Sequence, residues 1–543
     1  MKRNNYILVI SIFFAIIFGF VIGNTLSSRN NNVLQKHNIY QNTKSNNNNV
    51  NIKSLKEMFD LIDEYYVDSV NINEINEDLL YEIAANLDPH TVYIPASDLQ
   101  NVNSELVGSF GGIGIQFNIQ NDTVMVIQVI SGGPSEKAGV LPGDRIITVN
   151  DTAFTGKEVN NEKVMKKLRG QLDTKVVIGV KRQGSAEELK YSITRGVIPV
   201  NSVDVAYMIT DKTGFIKINT FGENTYKEFL NALAELRSKG AKSYIIDLRE
   251  NGGGLMDVAI AMVNEFLPKD RMIVYSKGRS YRRAEAKADG SGSCIGIPVA
   301  VLIDEFSASA SEIFAGAIQD NDCGTIIGRR SFGKGLVQQQ FDLSNGAAVR
   351  LTVAKYYTPS GRCIQKPYTI GDNDNYEQDI FNRYTHGEFD SADSIHFADT
   401  VVYKTFNGRT VYSGGGIMPD VFVALDTANV TPYFNNVYNK AYLYQFSFAY
   451  TDKNRAALQN YKDWKALSKY LDSQNLLSDF VAFANNKGIA ANNKEIATSQ
   501  KLILQHIKSY IIRNMLGDIG FYPALFQDNK TVKKALEAIE NQK

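Results

Sequence analysis

Val299-Ala-Val-Leu-Ile303, followed by Phe306-Ser-Ala-Ser-Ala-Ser-Glu-Ile-Phe-Ala-Gly-Ala-Ile-Gln-Asp320, reads as an apolar strand turning through small residues into a helix. Ile313, Ala317 and Ile318 fall at helical spacing, so that helix can lay one face on a sheet. A serine at such a turn exposes its hydroxyl near the positive end of the helix. Upstream, Tyr244-Ile-Ile-Asp-Leu248 is a second short apolar strand, and Asn251-Gly-Gly-Gly254 follows it directly. Downstream, Ser331-Phe-Gly-Lys-Gly335 isolates Lys334 between two glycines. Strands and helices alternate over residues 198–425, as in an α/β core.

An activated serine needs a base beside it and donors for the oxyanion it creates. The chain has five histidines: His37, His90, His386, His396 and His506. None is near the serines in sequence; His90 follows Asp88-Pro89 at a helix end, where a cap or turn role is the simpler reading. Lys334 is the more economical base, because burial lowers a lysine pKa and frees the neutral amine. A glycine turn after a strand bares backbone N–H groups, which suits an oxyanion hole. The expected donors are Gly253 or Gly254 together with the N–H after the attacking serine, which is that of Ala310 where the serine is Ser309.

A different chemistry is also written here. Gly328-Arg-Arg-Ser-Phe-Gly-Lys334 matches the spacing of a phosphate-binding loop. Gly335 stands where that loop needs a serine or threonine for magnesium, and the acidic strand end at Asp304-Glu305 comes before the loop instead of after it. Both features count against a nucleotidase.

The serine block, the Gly-Lys-Gly block and the glutamine four residues beyond Lys334 resemble the carboxyl-terminal processing proteases, PDZ-containing serine endopeptidases with a Ser–Lys dyad. Further landmarks occur in family order: Leu87-Asp-Pro-His-Thr91, Phe110-Gly-Gly-Ile-Gly114, Asp247-Leu-Arg249 with Gly252-Gly-Gly254, Tyr357-Thr-Pro-Ser-Gly-Arg362 and Gly415-Gly-Ile-Met-Pro-Asp420. The resemblance implies Ser309 as nucleophile, Lys334 as general base and Gln338 as the side chain orienting the lysine, with Ser307 and Ser311 as turn residues. It implies a multidomain α+β chain whose protease core is of the crotonase/ClpP-like type. Ser131-Gly-Gly-Pro-Ser-Glu-Lys-Ala-Gly139 resembles part of a PDZ domain, in which Gly112, Ile113 and Gly114 would bind the free carboxylate of a substrate tail. Arg169 matches a family arginine linking that domain to the active site. Two positions depart from the pattern: Gly252 replaces a usual proline, and Gln171-Leu-Asp-Thr174 lacks a usual glycine.

Residues 6–23 carry no charge and follow Lys2-Arg3, which favours a signal anchor with its N-terminus inside. A cleaved signal peptide is the alternative, against which the lack of a clear small-x-small site after Gly23 counts. The expected location is therefore the inner membrane, single-pass, with the catalytic part on the periplasmic or other extracytoplasmic side. The expected organisation is an anchor (1–24), an asparagine-rich disordered linker (25–51), an N-terminal helical segment (52–106), a PDZ domain (107–197), the protease core (198–425) and a helical C-terminal extension (426–543). Residues 371–399 read as an acidic surface loop. Charges balance at 58 against 58, which argues against nucleic-acid binding. Three cysteines make no disulfide framework, and no Cys/His spacing indicates a metal or other cofactor. The expected partners are proteins or peptides with free C-termini, with an adaptor protein and a homodimer as further possibilities. The non-enzymatic alternative, an inactive PDZ scaffold, has to explain why Ser309, Lys334 and Gln338 are all present.

Overall fold

The computed structural model describes residues 52–541 apart from 121, 131, 183, 184, 186 and 396–400. The expected anchor and linker, along with His37 and His396, lie outside the described residues. Among the described residues no helix is long and apolar enough to cross a membrane.

The first segment forms two helices, α1 (Ile52–Tyr65) and α2 (Ile72–Ala85), then a strand β1 (Val92–Ile94) and a helix α3 (Ala96–Val107). Asn71 starts α2 by accepting the Asn73 N–H on its side chain. Nothing on α1 is buried. Strands β2 (Ser109–Gly112), β3 (Ile115–Gln120) and β4 (Thr123–Val129) lead to a short helix α4 (Pro134–Ala138). Then come β5 (Arg145–Val149), β6 (Thr152–Ala153), α5 (Asn161–Leu168), β7 (Lys175–Lys181), β8 (Leu189–Thr194) and β9 (Gly196–Pro199). The β3-β4-β5-β7-β8 sheet and α5 enclose a separate core that includes Val124, Ile146, Ile178 and Val164. Strands β2 and β9 pair antiparallel below it, so both ends of the domain leave through one two-stranded neck.

The central α/β core begins with β10 (Val203–Met208), β11 (Thr213–Ile218), α6 (Thr225–Ser238), β12 (Ser243–Asp247) and α7 (Met256–Asn264). It continues with β13 (Met272–Lys277), β14 (Ala284–Lys287), β15 (Val299–Ile303), α8 (Ala310–Asp320), β16 (Thr325–Gly328), β17 (Leu336–Asp342) and β18 (Ala348–Tyr357). After two short helices, α9 (Asn373–Glu377) and α10 (Asp379–Thr385), come β19 (Val402–Lys404), β20 (Thr410–Tyr412) and β21 (Val421–Phe422). The central sheet runs β10-β11-β12-β15-β16-β21, parallel except at β10. Every residue of β12 and β15 is buried, as strands covered on both faces require. Ile246 and Val301 point to one face, where α6, α7 and α8 pack through Phe229, Met262 and Phe314. Ile245, Ala300 and Leu302 point to the other.

A second sheet, β1-β18-β13-β14 with β17 on β18, stands beside the helices. Its longest strand, β18, draws in the N-terminal segment through β1, with Val92 opposite Arg350.

The C-terminal region is helical: α11 (Pro432–Asn439), α12 (Tyr442–Leu458), α13 (Trp464–Asp472), α14 (Leu476–Asn486), α15 (Asn493–Leu516), α16 (Asp518–Phe526) and α17 (Lys530–Asn541). The expected stripe Ile503, Ile507 and Ile511 is fully buried in this bundle's own core. Helix α17 packs Val532, Ala535 and Ile539 on the open face of the central sheet.

One expectation needs correction. The described part of 371–399, residues 371–395, does not form a loop over the surface: α9 and α10 bury Tyr376, Ile380 and Arg383 against the core. The acidic composition hid this, because the apolar and aromatic residues that anchor the insertion are single and widely spaced.

Candidate active site

Ser309 is the N-cap of α8 and has φ +55° and ψ −113°. A side-chain-bearing residue in that region costs about 1–3 kcal/mol and persists only where its surroundings enforce it. The enforcement is visible. Its N–H donates to the Glu312 carboxylate at 2.9 Å. The neighbouring hydroxyls tie the turn to the strand below: Ser307 Oγ donates to the Leu248 carbonyl at 2.8 Å, and Ser311 Oγ to that of Asn251 at 2.9 Å.

The glycine turn lies directly against this elbow. A Cβ on Gly253 would come within 2.8 Å of Ser309 Cβ and 2.9 Å of Ala310 N, and its φ of +103° suits glycine alone. The Gly253 N–H already donates to Asn251 Oδ1 at 2.9 Å. Gly254 lines the cavity at Ser309, which Gly253 does not. Of the two glycines left open by the sequence, Gly254 is therefore the one that faces the cavity, and Gly253 allows the close approach of the turn. Ala310 carries the first helical N–H, which has no intrahelical acceptor.

Lys334 reaches the same cavity of about 140 Å³, lined also by Leu106, Met256, Ile313, Leu336, Gln338 and Tyr356. Burial, assisted by the Arg350 charge, pushes the Lys334 pKa down to about 8. Its Nζ donates to Gln338 Oε1 at 3.0 Å, and Gln338 Nε2 in turn donates to the His90 carbonyl. The loop carrying it is fastened to the helix that Ser309 caps by one buried side chain. Besides Ser309, the Glu312 carboxylate accepts from Ser331 Oγ at 2.6 Å, Gly333 N at 2.7 Å and Lys334 N at 2.8 Å. Tyr356 Oη lies 2.6 Å from the Lys334 carbonyl and 3.0 Å from that of Ser309, so its single proton bridges the two loops.

Sequence reasoning missed Glu312 and Tyr356. Glu312 has a visible signal, the Ser-x-x-Glu spacing of a capping box from Ser309, but its loop partners lie about twenty residues downstream. His90 is buried close to Lys334, and its pKa falls well below the ordinary value through burial and the two nearby lysines 334 and 366. His386 ends α10, and His506 packs in the C-terminal bundle against Phe434 and Tyr438.

The remaining positions sit elsewhere. Gly112 closes β2 opposite Gly196, and Gly114 takes φ +77°. The Ile113 side chain points into the PDZ core, so only its backbone is offered to a peptide. Arg169 ends α5 with its guanidinium 4.0 Å above the Phe110 ring, on the neck strand. The Gly-x4-Gly-Lys stretch enters strand β17 and no helix, so it lacks the helix N-terminus that a phosphate loop uses.

The chain matches Peptidase family S41 over residues 212–374, a PDZ domain over 111–193 and a family of unknown function over 433–517. It is 35% identical over 316 residues to a carboxy-terminal-processing protease of Bartonella bacilliformis, covering 57% of this chain and 71% of that one. It is 37% identical over 279 residues to the carboxy-terminal processing protease CtpA of Bacillus subtilis, covering 51% and 59%. Among solved structures it is similar to the photosystem II D1 C-terminal processing protease, at 29% identity over 58% of this chain and 90% of that one, with a TM-score of 0.33. With the Bartonella relative 35% identical and matched along 71% of its length, this chain belongs to peptidase family S41 and is a serine-type peptidase that carries a PDZ domain.

Proposed function

We propose that this peptidase is exported, captures a free, apolar-ended protein C-terminus on its PDZ domain, and cleaves peptide bonds with Ser309 as nucleophile and Lys334 as base. The observation that carries this reading is a buried lysine, its pKa lowered to about 8, opening into the cavity that holds a strained helix-capping serine. Neutral Lys334 takes the Ser309 proton as the oxygen attacks the scissile carbonyl. The N–H groups of Ala310 and Gly254 receive the oxyanion, and Gln338 keeps the amine aimed at the hydroxyl. Lys334 then gives its proton to the departing amine, and water, deprotonated by the same amine, hydrolyses the acyl-enzyme. On this reading Gly112, Ile113 and Gly114 bind the tail carboxylate, Arg169 couples the neck to the pocket, and residues 6–23 hold the enzyme on the extracytoplasmic side of the inner membrane.

The test is digestion of casein by the wild type and by Ser309→Ala and Lys334→Ala, with circular dichroism confirming the fold. Both variants are expected to lose turnover and keep binding of C-terminal peptides. A wild type that binds such peptides and never cuts casein would establish the scaffold alternative instead, and turnover surviving in Lys334→Ala would remove the lysine from the mechanism.

A further inference from the structure

The insertion carrying α9 and α10 reaches the active-site lysine through a short run of contacts. Tyr376, on α9, puts its hydroxyl 2.8 Å from His90 Nε2. The two rings also meet edge to face at 5.2 Å between centroids. The His90 N–H is held by Asp88 Oδ1 at 2.9 Å, and the His90 carbonyl accepts from Gln338 Nε2. Gln338 Oε1 accepts from Lys334 Nζ at 3.0 Å. His90 is thus pinned at its amide, its ring and its carbonyl, and that carbonyl anchors the side chain that holds the lysine. His90 and Tyr376 are both more than nine-tenths buried. The imidazole stays neutral between two lysines, so its bond to the phenol is one between uncharged groups. Tyr376 stands two residues beyond the stretch, 212–374, that matches the peptidase family.

We infer that Tyr376 and His90 are positioning residues for the proposed Ser309/Lys334 reaction, setting the rotamer of Gln338 and through it the direction of the Lys334 amine. The inference rests on Lys334 acting as base. Tyr376→Phe keeps the ring and its packing and removes only the hydroxyl. It is expected to lower kcat on fluorescent casein about tenfold with KM unchanged, because a small misdirection of a reacting group is costly in rate. The same fall should appear in the rate at which a fluorophosphonate labels Ser309, which does not depend on the PDZ domain. In a Gln338→Ala background Tyr376→Phe should have no further effect, since groups acting through one another are not additive. The amide oxygen favours the ammonium over the amine, so both variants should move the acid limb of the pH profile to lower pH.

Additive losses in the double variant, or a Tyr376→Phe enzyme as active as wild type, would overturn the inference while leaving the dyad standing. Turnover surviving in Lys334→Ala would instead remove the reading beneath it. Should Tyr376→Phe fail to fold, His90→Gln and His90→Ala carry the test. The glutamine places a nitrogen near the Nε2 position, so it should retain the activity that alanine loses, and equal losses would count against the relay.

Discussion

Two buried lysines, thirty-two residues apart in the sequence, have nearly the same pKa and opposite characters. Burial brings both Lys334 and Lys366 down to about 8. Lys366 donates to the Tyr376 carbonyl and to Asp379, each at 3.0 Å, and lies between the Phe332 and Tyr376 rings at 4.2 and 4.0 Å. It is a cation with its partners in place. Lys334 has one neutral amide as acceptor and otherwise opens into the cavity with Ser309. A lowered pKa alone therefore does not mark a base; the lysine that can do chemistry is the one whose lone pair has somewhere to go.

Substitution separates the two most sharply. Lys334→Met is expected to remove casein hydrolysis by about 10³-fold or more, whereas Lys366→Met should lower the melting temperature and leave a working enzyme. Equal losses of turnover at matched stability would erase the distinction. The pH–rate profile comes next. Turnover should rise as pH passes through about 8, where Lys334 loses its proton, and this midpoint should stay in place in Lys366→Met.

Tyr356→Phe should cost roughly tenfold in kcat, because it removes the proton shared by the carbonyls of Lys334 and Ser309. No comparable loss is expected from Tyr275→Phe, whose ring stacks on Tyr357 in the same sheet. A further effect lies in equilibrium stability. An unfolded lysine keeps its proton up to about 10.5 and these two lose theirs near 8, so the unfolded chain binds more protons between those values. Both lysines thus make the fold more stable as pH rises through that window. Each methionine variant should flatten the slope, as read from denaturant midpoints.

The parts of the site written locally were legible. Ser309 sits in a run of small residues between an apolar strand and an amphipathic helix, and Lys334 sits between glycines, so adjacent residues carry both signals. The alternation of apolar strands with helices over residues 198–425 placed the core as well. What stayed hidden depends on distant partners. Three residues of β1 pair with a strand about 250 residues away, and no local pattern announces that register. The capture of the Gly253 N–H by Asn251 is settled by which way one amide side chain turns, a choice that the repeated glycines leave open. Tyr376 stands in an acidic stretch whose polarity reads as loop, although its ring and hydroxyl are both committed to the interior.

The placement of α17 has a consequence for the order of folding. Ala300, Leu302 and Ile327 belong to the strands that lead to the serine and lysine loops, yet Val532, Ala535 and Ile539, far downstream in the sequence, pack on that same face. Contacts between residues so widely separated along a chain are slow to form. The strands beneath the two loops therefore gain this wall late, after their pairing with one another has begun.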